Sequence, residues 1–455
     1  MNKFTPREYQ KLITDHILAT PRCAVWAGMG MGKTSATLLA ASALLLAEDG
    51  PILVVAPLRV ARDTWAKESK KWADLQHLNV VPIVGTPAER KRAMHTRADI
   101  YTTNYDNLVW LVEEWGDKWP YTCVVADEST KLKGFRLRQG GKRAQALARV
   151  AHTKVKRFVQ LTGTPSPNGL VDLWGQAWFL DQGQRLGRSF NAFSQRWFRP
   201  HHSGFGIVPL PGAQQEIMDR LRDVCITVKP EDWFDLREPR VNNILVDLPV
   251  TARNIYKEME DDMFSQIGQH GVEAFNAAAR TMKCLQIANG AAYVDDTGAW
   301  TKVHDVKLEA LDELVEEQAG SPVLVAYHFK TDRERIMRAF PGAIDVATQE
   351  GFKKALKGEG TVWLGHPASM GHGVDGLQEH CHTVCFFGHW WNLEERQQFI
   401  ERVGPTRQMQ AGKDRVVSIH NIVAAGTVDE LVLERIGTKR EVQDILLDAM
   451  RRRKK

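Results

Sequence analysis

The apolar positions of the first 170 residues fall into short β-branched runs separated by stretches with helical spacing. Continuous apolar strands that alternate with helices are typical of a parallel sheet covered on both faces. The pattern therefore predicts an α/β lobe, with functional residues in the loops that follow the strands. The predicted strands are Cys23–Trp26, Ile52–Ala56, Asp99–Thr102, Tyr121–Ala126 and Arg157–Leu161, and the helical stretches include Ser35–Ala47, Val60–Ala73 and Gln145–Val150.

The pattern changes after residue 170 and returns after residue 300. Residues 171–300 have helical spacing and dense Trp and Phe, with one predicted strand at Val241–Leu248. We interpret this segment as a mainly helical insertion whose aromatic side chains form a core. Residues 301–436 predict a second α/β lobe, and residues 437–455 a basic C-terminal helix or tail. The strands predicted in the second lobe are Val323–Tyr327, Ala343–Val346, Thr361–Leu364, Thr383–Phe387 and Val416–His420.

The composition predicts where in the cell the protein acts and identifies one strongly charged segment. Six scattered cysteines, a polar amino terminus and the lack of an apolar run long enough to span a bilayer indicate a cytoplasmic protein. The net charge of +5 is mild, but Lys131–Arg157 holds ten Lys and Arg residues and no acid. This basic segment is either a solvated helix face or a track for nucleic-acid phosphates. We favour the track, because a mixed surface usually carries both signs of charge.

The residues Ala27–Thr34, A-G-M-G-M-G-K-T, lie between a predicted strand and a predicted helix. This is the context of a phosphate-binding loop, in which glycines let backbone N–H groups converge on an oxyanion. The alternative is a simple glycine-rich turn. The motif predicts that Lys33 contacts the β- and γ-phosphates of a nucleotide and that Thr34 binds Mg²⁺. The loop glycines are Gly28, Gly30 and Gly32.

Two further motifs follow predicted strands. Asp127 and Glu128 come directly after Tyr121–Ala126. Beside a phosphate loop, the Asp would bind Mg²⁺ and the Glu would orient and deprotonate the attacking water. The second motif is Leu161–Pro165, L-T-G-T-P, which suits a hinge that senses a neighbouring site.

Together with other segments, these motifs resemble the ordered set of superfamily 2 helicases of the switch/sucrose-nonfermentable (Snf) type, which are DNA-translocating ATPases. The resemblance covers nearly the whole chain, and the complete set in order is far more specific than any one motif. It extends to Phe4–Gln10, Val54–Trp65, Tyr101–Leu108, Leu161–Trp174, Met282–Gly290, Lys307–Leu311, Val323–Tyr327, Met370–Gln378 and Trp391–Gln408.

The resemblance implies two RecA-like lobes that bind ATP between them and move along double-stranded DNA. It also implies a role for Gln10 in recognising adenine and for Asp375 in binding the nucleotide. The implied nucleic-acid contacts are Arg59, Thr103 and Asn104, to which the basic segment adds Lys131, Lys133 and Arg136.

Two departures from the family pattern affect the site. Thr130 replaces the His that links hydrolysis to DNA motion. In the last motif the family has a second Arg three residues after the first, whereas this chain has Arg402, then Pro405, then Arg407. Hydrolysis needs a cation from the second lobe near the γ-phosphate. Our hypothesis is that Arg407 supplies it, with Arg402 in support.

Two functions remain open on the sequence alone. The first is an ATP-driven translocase or strand-separating helicase, acting in replication, repair, recombination or restriction. The alternative is a nucleotide-gated DNA-binding module with weak turnover that recruits a partner such as a nuclease. The compact chain suggests a monomeric phage or bacterial member, which would act in the host cytoplasm if phage-encoded.

A cluster of His and Cys residues also raises the possibility of zinc. Because no C-x₂-C pair is present, we favour local packing over a metal site. The cluster comprises His366, His372, His380, Cys381, His382, Cys385 and His389.

Overall fold

The structure is a computed structural model. It describes residues 3–28, 30–47, 50–167, 169–200, 207–270, 281–294, 298–370 and 375–438. The chain divides into two compact units, Met1–Phe234 (unit 1) and Asp235–Lys455 (unit 2). The boundary between them falls inside the segment 171–300 that the sequence assigns to an insertion, and most of the predicted tail lies outside the described residues.

Unit 1 is built on a seven-stranded sheet in which every pairing is parallel. Its strands are β1 (Arg22–Ala27), β2 (Ile52–Ala56), β3 (Val80–Ile83), β4 (Ile100–Asn104), β5 (Cys123–Asp127), β6 (Arg157–Thr162) and, after the hairpin strands β7 (Phe198–Pro200) and β8 (Ile207–Pro209), β9 (Cys225–Val228). The strand order is β3-β4-β2-β5-β6-β1-β9.

Both faces of this sheet are buried, as the apolar runs predict. Val124 and Phe158 point into one core, whereas their neighbours Val125 and Val159 point into the other. The helices of unit 1 are α1 (Glu8–Ala19), α2 (Lys33–Ala47), α3 (Trp65–Lys71), α4 (Pro87–His95), α5 (Leu108–Trp115), α6 (Lys142–Ala151), α7 (Asp172–Asp181), α8 (Phe190–Trp197) and α9 (Ala213–Leu221).

Most aromatic residues between positions 170 and 200 are buried in a core of unit 1, which confirms the prediction that these rings are core residues, whereas the insertion stays a prediction. Trp174, Phe179, Phe193 and Trp197 are almost fully buried in the same core as β5 and β6. Ring contacts run along the segment, including Phe193 with Trp197 at 5.4 Å. Aromatic side chains therefore fix α7 and α8 against one face of the sheet.

Unit 2 contains a six-stranded sheet, again with every pairing parallel. Its strands are β10 (Arg240–Val246), then β13 (Val323–Ala326), β14 (Ile344–Asp345), β15 (Val362–Gly365), β16 (Thr383–Phe386) and β17 (Ser418–Ala424), with β11 (Ala291–Tyr293) and β12 (Trp300–Lys302) forming a separate hairpin. The strand order is β10-β17-β16-β13-β15-β14. The strand predicted at Val241–Leu248 is thus an edge strand of the second sheet.

The helices of unit 2 cover this sheet. They are α10 (Val250–His270), α11 (Met282–Asn289), α12 (Val306–Glu317), α13 (Lys330–Ala339), α14 (Gln349–Ala355), α15 (Pro367–Met370), α16 (Leu393–Ile400), α17 (Pro405–Gln410) and α18 (Val428–Thr438). The predicted α/β class with two parallel-sheet lobes is confirmed. Across the described ranges, no helix is both long and apolar enough to cross a membrane.

Candidate functional site

The three predicted nucleotide motifs lie at one edge of the sheet of unit 1. Strand β6 lies between β1 and β5, and register pairs Leu161 with Asp127 on one side and Thr162 with Trp26 on the other. Because the strands are parallel, their carboxyl ends meet at the same edge. The structure thus brings together the phosphate loop, the Asp127–Glu128 pair and the Thr162–Pro165 loop.

The phosphate loop has the backbone that its glycines permit. Gly30 and Gly32 have φ values of 78° and 66°, a left-handed conformation that L side chains rarely adopt. Helix α2 begins at Lys33, so its free N–H groups face the loop. The ammonium of Lys33 donates to the carbonyl oxygens of Ala27 at 2.8 Å and Gly28 at 3.2 Å. The cation therefore lies over the loop, and Thr34 beside it is half-buried.

Gln10 is packed against this loop. Its Oε1 accepts the backbone N–H of Arg7 at 2.9 Å, and a Cβ added at Gly32 would lie 2.1 Å from its Nε2. The hydroxyl of Thr14 donates to Gln10 O at 3.0 Å and to Ala36 O at 3.1 Å, which docks α1 on α2. The fold therefore places the predicted adenine-recognising residue beside the phosphate loop.

Asp127 is a buried carboxylate held by an indole. Trp65 Nε1 donates to its Oδ2 at 3.0 Å. Burial raises the pKa of Asp127, while the charge of Lys33 and the bond from Trp65 act in the opposite direction. The predicted Mg²⁺ ligand and the phosphate-loop lysine are therefore close enough to interact electrostatically.

Glu128 has an unusual backbone for a residue with a side chain. Its φ and ψ are 56° and 58°, in the left-handed region, which costs about 1–2 kcal/mol for an L-residue. The hydroxyl of Tyr105 donates to Asp127 O at 2.9 Å and Glu128 O at 3.3 Å, and so supports this turn. Such strain persists only where the surroundings fix it, and it is frequent at functional sites.

Three supporting residues were not predicted from the sequence. Trp65 and Tyr105 hold the acidic pair, and Gln176 bonds to Ser129 and to Pro165 O. Their partners lie between 11 and 62 positions away in the chain. Local motifs do not reveal such contacts, because only the sheet order brings the partners together.

The predicted nucleic-acid residues on β4 are more buried than their role suggests. Thr103 is fully buried, and its hydroxyl donates to Ile83 O at 3.0 Å. Asn104 is 7% exposed and donates from Nδ2 to Asp106 at 3.4 Å. Arg59 is half-buried at the start of a π-helical turn, Val60–Thr64. The Thr103 side chain is therefore directed into the fold and is not presented to solvent.

The basic segment Lys131–Arg157 is divided between two edges of the sheet. Lys131 is exposed after β5, at the carboxyl edge, and Lys133 pairs with Asp172 at 3.9 Å. Arg136 lies 3.6 Å over the ring of Phe190, and burial lowers its pKa. Arg157 begins β6 at the opposite edge. The segment therefore does not form one continuous surface.

In unit 2, both candidate arginines are largely buried, but they have different partners. Arg402 is 6% exposed and donates from Nε to Gln398 O at 3.0 Å. Arg407 lies in the last turn of α17, its side chain is 12% exposed, and it pairs with the exposed carboxylate of Asp375. Residues 371–374, the centre of the predicted motif at Met370–Gln378, lie outside the described residues.

The His and Cys cluster in unit 2 has ordinary packing contacts. Cys381 Sγ donates to Pro322 O at 3.2 Å and His389 Nε2 to Ile422 O at 2.9 Å. His372 is outside the described residues. In the part of the chain that the structure describes, no group of three His, Cys, Asp or Glu side chains could hold a metal ion.

Fold and site together define a two-lobed α/β protein of the nucleoside-triphosphate-binding class. The sequence model of the SNF2-related domain matches residues 23–290. The chain therefore belongs to the SNF2-related family, as the motifs in its sequence indicate.

Individual relatives and one solved structure are similar to the chain to different degrees. Protein p41 of Acyrthosiphon pisum secondary endosymbiont phage 1 is 52% identical over 100% of both chains. The Arabidopsis thaliana protein named "Probable ATP-dependent DNA helicase CHR12" is 24% identical over 92% of this chain, which spans 40% of that protein. Among solved structures, the Sulfolobus solfataricus SWI2/SNF2 ATPase core in complex with dsDNA is 22% identical, with a TM-score of 0.45 over 98% of this chain and 93% of that one.

Proposed function

We propose that the protein is an ATP-dependent DNA translocase that hydrolyses ATP and moves along double-stranded DNA. The observation that carries this proposal is the convergence of Lys33, Asp127–Glu128 and Thr162–Pro165 on one edge of the unit 1 sheet. Membership of the SNF2-related family and the helicase name of the Arabidopsis relative support ATP use and DNA as the partner.

The residues at this edge suit ATP and Mg²⁺. Gly30 and Gly32 have no side chains, so the loop backbone could approach phosphates closely at these positions. The Lys33 cation lies over the same loop. Thr34 and Asp127 would hold Mg²⁺, which supplies charge neutralisation to the phosphates when bound. Gln10 would recognise adenine.

Glu128 is the proposed general base. Its carboxylate would orient the attacking water and accept its proton. A backbone held in the left-handed region sets the direction of this side chain before substrate arrives, and such preorganisation is a large part of catalytic rate enhancement.

The test is the ATP hydrolysis rate of the full chain with double-stranded DNA, single-stranded DNA and RNA at one fixed salt concentration, since affinity for nucleic acids depends on salt. We expect the strongest stimulation by double-stranded DNA. Lys33→Ala should abolish hydrolysis, whereas Lys67→Ala, a highly exposed lysine of α3, should retain it. Stimulated hydrolysis in the Lys33→Ala variant would disprove the proposed mechanism.

The second candidate is a nucleotide-gated DNA-binding module with weak turnover that recruits a partner such as a nuclease. The burial of Arg402 inside its own lobe favours it, because this side chain already bonds to Gln398 O. Under the first function, we propose that Arg407 supplies the catalytic cation. Arg407→Ala should then lower DNA-stimulated kcat by ~100-fold or more.

Arg402→Ala is the matched comparison for Arg407→Ala. We expect this variant to lose thermal stability because a buried hydrogen-bonded guanidinium is removed. If Arg407→Ala keeps full stimulated turnover while Arg402→Ala abolishes it in a folded protein, the assignment to Arg407 is wrong. If the wild-type protein binds ATP and DNA with no stimulated turnover, the binding-module function replaces the translocase.

A further inference from the structure

Gln176 on α7 is a buried amide whose hydrogen bonds join two loops of the candidate site. Its Oε1 accepts the hydroxyl of Ser129 at 2.9 Å, directly after Glu128. Its Nε2 donates to Pro165 O at 2.6 Å, at the end of the Thr162–Pro165 loop. Gln176 is 3% exposed and Ser129 is fully buried, so water does not compete for the bond between them, whereas the bond to Pro165 O is partly buried.

Helix α7 is held firmly in the position that these bonds require. Gln160 Nε2 donates to the backbone oxygen of Gln176 at 2.8 Å and fixes the helix to β6. A Cβ added at Gly175 would lie 2.5 Å from Lys133 O, so the helix packs directly on the backbone that follows Ser129. Gln176 is therefore a rigid support and not a mobile surface side chain.

The strained residue Glu128 lies between two supports. Tyr105 bonds to the carbonyl oxygens of Asp127 and Glu128, and Gln176 bonds to the next residue, Ser129. A left-handed conformation of a residue with a side chain needs such fixation on both sides. Tyr105 fixes the turn on one side of Glu128, and Gln176 fixes it on the other side, which it also ties to Pro165.

We propose that Gln176 is a positioning residue that couples the Glu128 loop to the Thr162–Pro165 loop, so that a displacement of one is transmitted to the other. The Ser129–Gln176 bond joins the residue directly after Glu128 to the second loop, because Gln176 also bonds to Pro165 O. The predicted effect on rate rests on the proposed function, but the coupling of the loops is a property of the fold itself.

The experiment compares the full-length protein with Gln176→Leu, Ser129→Ala and the double variant. Leu180→Val is the matched control, because Leu180 lies on the same helix and lines the same small cavity as Gln176. Amide hydrogen exchange is measured for residues 129–132 and 162–167. The kinetics of ATP hydrolysis are measured with and without double-stranded DNA. Thermal unfolding confirms that each variant is folded.

We expect Gln176→Leu to increase exchange in both segments and to lower DNA-stimulated kcat by ~10-fold to ~100-fold. The KM for ATP should stay within about twofold, since a positioning residue acts on the transition state more than on ground-state binding. Ser129→Ala should have a similar effect, and the double variant should be no worse than Gln176→Leu alone. Leu180→Val should leave exchange in both segments unchanged.

Unchanged exchange in either segment of a folded Gln176→Leu protein would overturn the proposal, as would additive effects of Ser129→Ala and Gln176→Leu. If the wild-type protein hydrolyses no ATP, the proposed function fails, and the exchange data alone decide on the coupling. Increased exchange in both segments would then still support it.

Discussion

Two histidines of unit 2 are buried as neutral rings in the same arrangement. His304 Nε2 donates to Ile287 O and His389 Nε2 to Ile422 O, both at 2.9 Å. Among the described residues, the Nδ1 atom of each ring has no hydrogen-bond partner. Burial lowers the pKa of each ring to about 4, because protonation would add a charge and an unpaired donor inside the fold.

These rings predict that the protein loses stability in mild acid. The unfolded chain binds protons near pH 6.5 and the folded chain only near pH 4, so stability is complete above this window and falls as pH drops through it. Each ring should contribute a loss of about 1–2 kcal/mol between pH 7 and pH 5. Burial raises the pKa of Asp332 to about 6, so this side chain binds a proton in the folded protein before it does so in the unfolded chain. Acidification therefore stabilises the fold at Asp332 and offsets part of the loss.

Denaturant unfolding of the wild type and His389→Gln at the two pH values measures this effect. The variant should be less stable than the wild type at pH 7 and should lose less stability on acidification. An equal loss in both proteins would show that His389 does not titrate in this window.

At the scale of elements, apolar runs identified the strands of both sheets to within a few residues, with the exception of β3 and β9. Strands β3 and β9 were missed because they are short and partly exposed, so neither forms a continuous apolar run. The segment Val60–Ala73 is helical as predicted but begins with a π-helical turn. A motif that lies inside one loop, such as Ala27–Thr34, can be predicted from the sequence. The contacts of Trp65, Tyr105 and Gln176 cannot, because the order of the strands in the sheet brings their partners together.

One buried ion pair joins several elements of unit 2. Lys307 on α12 and Asp429 on α18 are fully buried, with Nζ and Oδ2 separated by 2.6 Å. Lys307 also donates to Asn289 Oδ1 at 2.8 Å and to Phe387 O at 3.2 Å. All three donors of the ammonium are therefore used, and the lysine ties two helices to α11 and to the end of β16.

Lys307→Met should destabilise the protein by about 3–5 kcal/mol, because it leaves Asp429 as a buried charge without its cation. Adding Asp429→Leu should restore part of that loss, since no charge then remains unpaired. Denaturant unfolding of both variants measures the effect. Equal stability of the single and double variants would show that an unpaired Asp429 does not cause the loss.

At the scale of the whole molecule, the net charge of +5 is too small to define a nucleic-acid surface, so the location of charge matters more than its sum. Within the basic segment, Lys131 is exposed at the carboxyl edge of the unit 1 sheet. Lys154 precedes β6 at the opposite edge and pairs with Asp117 at 3.8 Å. The sequence-based interpretation of the basic segment as a phosphate track therefore predicts a DNA contact for Lys131 at the carboxyl edge.

Lys131→Ala should therefore weaken binding to double-stranded DNA and lower the slope of log affinity against log salt by ~0.9, the effect of one lost phosphate contact. Lys154→Ala is the matched control and should leave the slope unchanged. Binding titrations over a series of salt concentrations provide both values. Equal slopes for Lys131→Ala and the wild type would remove Lys131 from the nucleic-acid contacts.

At Glu128, stability and activity favour different residues, because the backbone is left-handed and the proposed reaction needs a carboxylate. Glycine would adopt this conformation without steric conflict, so a search for stable sequences alone would select it there. Glycine has no carboxylate, however, and could not take a proton from water. Engineering this protein for heat resistance by relieving every strained residue would therefore remove the proposed base, and the position has to be excluded from any such design.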